Sequence, residues 1–185
     1  MNGDVELLAA AARGDRAAFE RFVERHEFAV WRVIKTLEVD VARAEDALQE
    51  TFLAAWRSAA GFRGDESARA WLLSIARHAV YRQHRKRSGE PAEMGSLVEL
   101  GRTAGLGSEP TTDPMNTFEQ RDEIMRAFES LSAEDREAIV LRDVAELSAE
   151  EAARIAGTSV PAHKSRLHRA RLKFAAFVRG VDHVA

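Results

Sequence analysis

Two runs of cations dominate the chemistry this chain could do. Arg77, Arg82, Arg85, Lys86 and Arg87 form the first, and Lys164, Arg166, Arg169, Arg171, Lys173 and Arg179 the second. Cations gathered on a helix suit a polyanion, because each phosphate neutralised releases condensed counterions. The second run is the sharper signal, since no acid stands between Gly157 and Gly180. Pro161, Lys164, Ser165 and His168 share one helical face with Arg169 beside it, while Leu167, Ala170, Phe174, Phe177 and Val178 form an apolar stripe. The stripe reads as core. The polar face offers donors to base edges and phosphates in a major groove. A basic helix face can also simply be solvated, so the surrounding elements must decide.

Acids lie elsewhere. Glu45, Asp46 and Glu50 share one segment, and Glu90, Glu93, Glu99, Glu109, Asp113, Glu119, Asp122 and Glu123 fill the stretch between the basic runs, giving a net charge of −3. The six histidines include two close pairs, His78 with His84 and His163 with His168, and neither pair has the i, i+4 spacing that suits a metal on a helix. No cysteine is present, which excludes disulfides, thiolate metal sites and cysteine nucleophiles. No serine, histidine and aspartate arrangement and no glycine-rich phosphate loop stands out. The expectation is no catalytic residue, no metal and no cofactor.

The elements around these residues read as helices. Hydrophobic residues make up 45% of the 185, with Ala, Leu, Glu and Arg prominent and strand-favouring residues scarce, which points to an all-α protein. Apolar residues recur at three- and four-residue spacing and predict helices over 4–12, 15–37, 40–58 and 66–87. Between Ser88 and Met115 the pattern gives way to Gly, Pro, Ser, Thr and acid, a composition that cannot offset chain entropy by burial. Periodicity then returns and predicts helices over 117–130, 133–145, 149–156 and 160–179. Ser132 and Ser148 stand three residues before Asp135 and Glu151 and read as helix caps. Gly157 suits a left-handed helix end, and Pro161 suits a first turn. A short capped helix, a turn with Gly and a longer basic helix make a helix-turn-helix. The expected organisation is two small helical domains, 1–88 and 117–185, joined by a flexible acidic linker over 89–116. No membrane span or signal peptide is apparent, so a cytoplasmic protein is expected.

Two segments carry a family resemblance. Ala44-Glu45-Asp46-Ala47-Leu48-Gln49-Glu50-Thr51-Phe52-Leu53-Ala54-Ala55-Trp56, with Phe62-Arg63-Gly64-Asp65 and Ala70-Trp71-Leu72-Leu73-Ser74-Ile75-Ala76-Arg77, resembles the second conserved region of bacterial extracytoplasmic-function sigma factors. Ser159 to Arg171 resembles the recognition helix of their fourth region. The resemblance covers nearly the whole chain. It implies a subunit that binds core RNA polymerase, recognises the minus-thirty-five and minus-ten promoter elements and opens the duplex without nucleotide hydrolysis. It implies core binding through Glu45, Asp46, Gln49, Glu50, Phe52 and Trp56. It implies minus-ten contacts from Phe62, Arg63, Gly64, Trp71, Arg77, His78, Arg82, Arg85 and Lys86, by holding an unstacked strand. Minus-thirty-five contacts fall to Ser159, His163, Lys164, Ser165, Arg166, His168 and Arg169. It further implies a monomer, with an anti-sigma factor that clamps both domains and is the only link to a membrane, and an acidic linker threaded along the polymerase's RNA path.

Several residues depart from the family pattern. His78 stands where many relatives carry Asn, and Pro161-Ala162-His163 replaces a common Gly-Thr-Val, so the promoter sequence cannot be carried over. Trp71, Trp31 and Trp56, each a lone aromatic on an apolar stripe, read as core before they read as stacking platforms. A conventional helix-turn-helix regulator would share the C-terminal features and predict a dimer on two half-sites, but leaves the segment from Glu45 to Trp56 without a purpose. A helical adaptor that never touches DNA would turn the basic faces toward acidic proteins.

Overall fold

The computed structural model describes residues 2–88 and 118–180; the acidic linker expected over 89–116 lies outside the described residues. The described helices fall into two compact units. In the first, α1 (Asn2–Ala12), α2 (Arg16–Leu37), α3 (Val41–Ser58) and α4 (Ala68–Ser88) follow one another, with a 3-10 turn at Ala59–Gly61. The boundaries are set by short acceptor side chains. Asp15 accepts the Ala18 N–H at 3.0 Å to start α2, and Asp40 accepts the Arg43 N–H at 3.0 Å to start α3. Ser67 accepts the Ala70 N–H at 3.1 Å ahead of α4. Each satisfies a donor that the first turn leaves without an intrahelical partner.

Helix α3 lies along α4, α2 packs on both, and α1 covers α2 and the 3-10 turn. Leu8, Phe22, Val30, Val33, Ile34, Leu48, Leu72 and Leu73 are fully buried between them. Each such side chain contributes roughly 1.5–3 kcal/mol, enough for a small four-helix core. Asp4 adds a polar tie from α1 to α2, meeting Arg25 Nη1 at 2.5 Å and His26 Nε2 at 3.0 Å. His26 is itself buried, and desolvation pulls its pKa below the ordinary histidine value despite the Asp4 carboxylate.

The second unit holds α5 (Phe118–Glu129), α6 (Ala133–Ile139), α7 (Ala149–Ile155) and α8 (Val160–Val178), with α5, α6 and α7 all packed on α8. Ser132 accepts the Asp135 N–H at 3.2 Å, and Ser148 and Glu151 form a full capping box with bonds of 3.1 and 3.0 Å. The helix expected over 133–145 is not one α-helix. After Ile139 it widens into a π turn over Val140–Val144, closed by the Ala145 N–H on the Val140 carbonyl at 2.8 Å and ended by Glu146 at φ 55°. Val140 and Leu141 within the turn, and Ala145 and Leu147 just after it, are buried in the core of the unit. Phe128 and Phe174 rings meet at 4.8 Å. The apolar stripe of α8 is shorter than its sequence suggests: Leu167 and Ala170 are buried, Phe174 and Phe177 half-buried, and Val178 is exposed.

The corner between α7 and α8 turns on Gly157, at φ 66°. Its N–H meets the Arg154 carbonyl at 3.1 Å, and the Thr158 N–H meets the Ala153 carbonyl at 2.9 Å, which closes the end of α7. Ser159 then accepts the Ala162 N–H at 3.3 Å, and Pro161 occupies the first turn of α8, where a missing N–H costs nothing.

Candidate nucleic-acid and polymerase interfaces

Helix α8 sorts its cations by register. Lys164, Ser165, Arg166, His168 and Arg169 are exposed on one side. Arg171 and Lys173 reach back onto the fold instead. The Arg171 guanidinium grips Asp143 with two bonds of 3.0 and 2.5 Å, and Lys173 Nζ meets Asp135 at 2.6 Å. The hydrogen bonds to Asp143 hold the Arg171 pKa above its ordinary value. Two of the six cations of the second run are thus neutralised by acids of the same unit. Ser159 remains at the start of this face with its oxygen engaged as the helix cap.

His163 is not on this face. It is 1% exposed, packed inward among Leu167 and Ala170, and so is withdrawn from the base-contacting set expected from sequence. The signal was available: His163 stands four residues before Leu167 and seven before Ala170, on the buried stripe. Its Nε2 meets no hydrogen-bond partner among the described residues. Desolvation first, then the nearby Arg142, pulls its pKa below 6.5, with Glu137 opposing and Arg166 adding to the fall. The folded state therefore takes up a proton less readily than the unfolded chain, and this unit loses stability as pH falls below about 6.5. Hydrogen-exchange protection of α6 to α8, corrected for intrinsic rates, is expected to drop between pH 7 and 5. His163→Leu should flatten that drop; an unchanged profile would show that His163 does not carry it.

On α3, Glu45 and Asp46 are exposed, and Gln49 and Glu50 are half-buried. Phe52 is a correction. At 5% exposure it belongs to the buried stripe with Ala44, Ala47, Leu48, Thr51 and Ala55, and cannot offer its ring to a partner. Trp56 is half-buried, its ring set edge-on to Phe19 of α2 at 5.0 Å. Glu50 points across to α4, where it pairs with Arg82.

The loop before α4 folds onto its first turns. Phe62 and Trp71 rings lie 5.1 Å apart, both half-buried, so each supports the other while one surface stays open. Trp31 is likewise half-buried, with Lys35 Nζ 5.8 Å from its ring centre. Arg63 is exposed, and Gly64 sits at φ 77° where a side chain would be strained. Further along α4, Arg77 lies over the Tyr81 ring at 4.7 Å, while His78 and Arg85 are exposed. Lys86 lies on α4, with its side chain outside those described. Tyr81 escaped notice in the sequence, although its position four residues after Arg77 was legible. The structure brings Phe62 to Trp71 and Glu50 to Arg82, and the latter pairing joins the face expected to bind polymerase to the helix expected to bind DNA.

Residues 22–90 match Sigma-70 region 2, and residues 121–174 match Sigma-70 region 4. The ECF RNA polymerase sigma factor SigC of Mycobacterium tuberculosis is 34% identical over 170 residues, covering 89% of this chain and 85% of that protein. This chain belongs to the extracytoplasmic-function sigma factors. The RNA polymerase sigma factor CnrH of Cupriavidus metallidurans is 31% identical over 182 residues, with 96% and 95% coverage. Among solved structures, CnrH in complex with the cytosolic domain of CnrY aligns at a TM-score of 0.67 and 26% identity, covering 96% of this chain and 98% of that one. The sigma factor RpoE from Bartonella quintana, in complex with the anti-sigma factor NepR, aligns at 0.66 and 29%, covering 89% and 98%.

The sigma factor directs RNA polymerase to promoters, and its two matched regions cover α4 and most of α8, the two basic helices described above. The region 2 match begins at Phe22, within α2, so α1 lies ahead of it and the tie from Asp4 reaches into it at Arg25 and His26. Among the described residues, no helix is long and apolar enough to cross a membrane.

Proposed function

We propose that this sigma factor binds core polymerase through Glu45, Asp46, Gln49 and Glu50 of α3, with the open edge of Trp56. It holds the minus-ten strand with the Phe62 to Ser67 loop and α4, and docks Lys164, Ser165, Arg166, His168 and Arg169 of α8 at the minus-thirty-five element. The domains serving these tasks are 1–88 and 117–185, with 89–116 as the acidic connection. The observation that carries the reading is the sorting of cations on α8. A face without acids is left to solvent while Arg171 and Lys173 are held by Asp143 and Asp135. A merely solvated basic helix has no reason to divide its charges in this way.

The reading includes a cytoplasmic monomer without enzymatic activity or cofactor, opening DNA by binding energy alone. It includes control by an anti-sigma factor, supported by the sigma factors CnrH and RpoE, which were solved with CnrY and NepR. The dimeric regulator considered from sequence loses its footing, because the match to Sigma-70 region 2 accounts for the segment from Glu45 to Trp56.

The experiment is open-complex formation by core polymerase on a pool of random promoter sequences, with and without the sigma factor. Selection of a spaced pair of motifs, with the downstream one opened, is the expected result. Tight binding to core with no selection would make the protein a polymerase-binding regulator, and selection of a duplex palindrome without core would restore the dimeric regulator.

A further inference from the structure

Apolar packing of α4 stops before its basic end. Leu72, Leu73, Ala76, Ala79 and Val80 are buried, but from Tyr81 to Arg85 no residue is buried, and the only large apolar group is the half-buried Tyr81. Those turns carry Arg82 and Arg85, so of the α4 residues assigned to DNA these two stand where hydrophobic contact holds the helix little. Its direction must come from polar contacts.

Glu50 supplies one through Arg82, and Glu38 supplies another from a more deeply buried carboxylate. Glu38 caps the C-terminus of α2, its N–H on the Ile34 carbonyl at 2.7 Å, and its carboxylate is buried, with only 5% of the side chain exposed. A carboxylate so placed is stable only when its oxygens are satisfied. Oε1 takes the Asp40 N–H at 3.0 Å and Arg43 Nη2 at 3.0 Å, which locks the α2–α3 corner. Oε2 takes His84 Nε2 at 2.9 Å, from the last turns of α4 and 46 residues away. Beside it, the Gln83 amide, turned so that its nitrogen faces the Arg43 carbonyl and its oxygen the Ala47 N–H, sits at 3.1 Å from each. One buried acid thus joins the corner to the basic end of α4.

We propose that Glu38 is a positioning residue for promoter opening, acting through His84 to aim the Arg82 and Arg85 turns of α4 at the single strand. Half of the His84 side chain stays exposed, so the imidazole is held at the surface beside Arg85. The ring serves as a spacer between a fixed carboxylate and the strand-facing side. The proposal rests on the reading of α4 as the minus-ten helix, and its test separates the two.

The test uses full-length protein with core polymerase on a promoter chosen by the selection above. Glu38→Gln, His84→Ala and the double variant are compared for core affinity and for the rate of opening. Each single change is expected to slow opening about tenfold while core affinity stays within about twofold, and the double change should slow it no further than either alone, since residues acting as one unit are non-additive. Glu38→Asp, which keeps the charge on a shorter arm, should recover part of the rate. Equal loss of core binding and opening, or losses that multiply in the double variant, would assign Glu38 to general stability and overturn the proposal. Arg85→Ala serves as the control for the underlying reading. If it slows opening while Glu38→Gln and His84→Ala do not, the positioning role alone fails; if Arg85→Ala has no effect either, the assignment of α4 to the minus-ten strand falls and takes this proposal with it.

Discussion

Replacing Lys164, Arg166 and Arg169 together with glutamine is expected to weaken promoter binding by the holoenzyme at least about a hundredfold at moderate salt. The three side chains are exposed on the acid-free face of α8, and among the described residues none pairs with an acid of its own unit in the way that Arg171 and Lys173 do. Each phosphate contact contributes about −0.9 to the slope of log affinity against log salt on duplex DNA. Loss of three such contacts should flatten the slope by about 2.7, and less if one of the three reads a base edge instead. The contrast that gives the prediction its force is Arg171→Gln. That guanidinium is already engaged with Asp143, so its loss should change promoter affinity by no more than about threefold, the range of an exposed ion pair. Affinity measured across a salt series decides the matter. A triple variant with an unaltered slope would remove α8 from the DNA interface, and an Arg171 effect as large as the other three would show that the sorting of cations is not functional.

Reversing Glu45 and Asp46 to lysine is expected to cost about a hundredfold in affinity for core polymerase with little change in folding. Both are exposed on the second turn of α3, away from the buried stripe, so substitution should move stability by only about 0.5 kcal/mol. Against a partner surface of opposite charge the same changes replace attraction by like-charge contact, which costs several kcal/mol, and about 2.7 kcal/mol is a hundredfold. Titration of labelled sigma factor with core, alongside chemical denaturation of each variant, separates the two effects. Phe52→Ala makes the informative comparison, because its ring lies in the core and its loss should cost about 3–5 kcal/mol of stability before it affects any partner. Retention of core binding by the Glu45 and Asp46 variant would remove this face from the polymerase interface.

Much of the fold was legible because its boundaries are written locally. Asp15, Asp40, Ser132, Ser148 and Ser159 each cap the helix that follows within three residues, and periodicity supplied the lengths between them. What local reading missed depends on distance or on register. The π turn at Val140–Val144 inserts an extra residue into a helical ring, which no 3.6-residue template contains. Glu38 looks like a solvated acid in a turn until α4 returns to it 46 residues later, and Glu50 looks exposed until Arg82 meets it. Phe52 and His163 were a different failure. Each fell on its helix's buried stripe, and the family motif in one case and the chemistry of the side chain in the other drew attention outward. The basic face of α8 was legible in charge, but which cations stay outward follows from Asp135 and Asp143, placed on the facing elements by the fold.

The corner at Gly157 has a consequence for how the recognition helix is aimed. A β-carbon built there meets no atom within 4 Å, so the position is not kept small by crowding. What it demands is a backbone of the opposite hand, since an L-residue in the left-handed region costs roughly 1–2 kcal/mol whatever its size. A D-alanine would settle into the corner where its mirror image strains, so the turn that leads from α7 into α8 selects for handedness at this position and not for size.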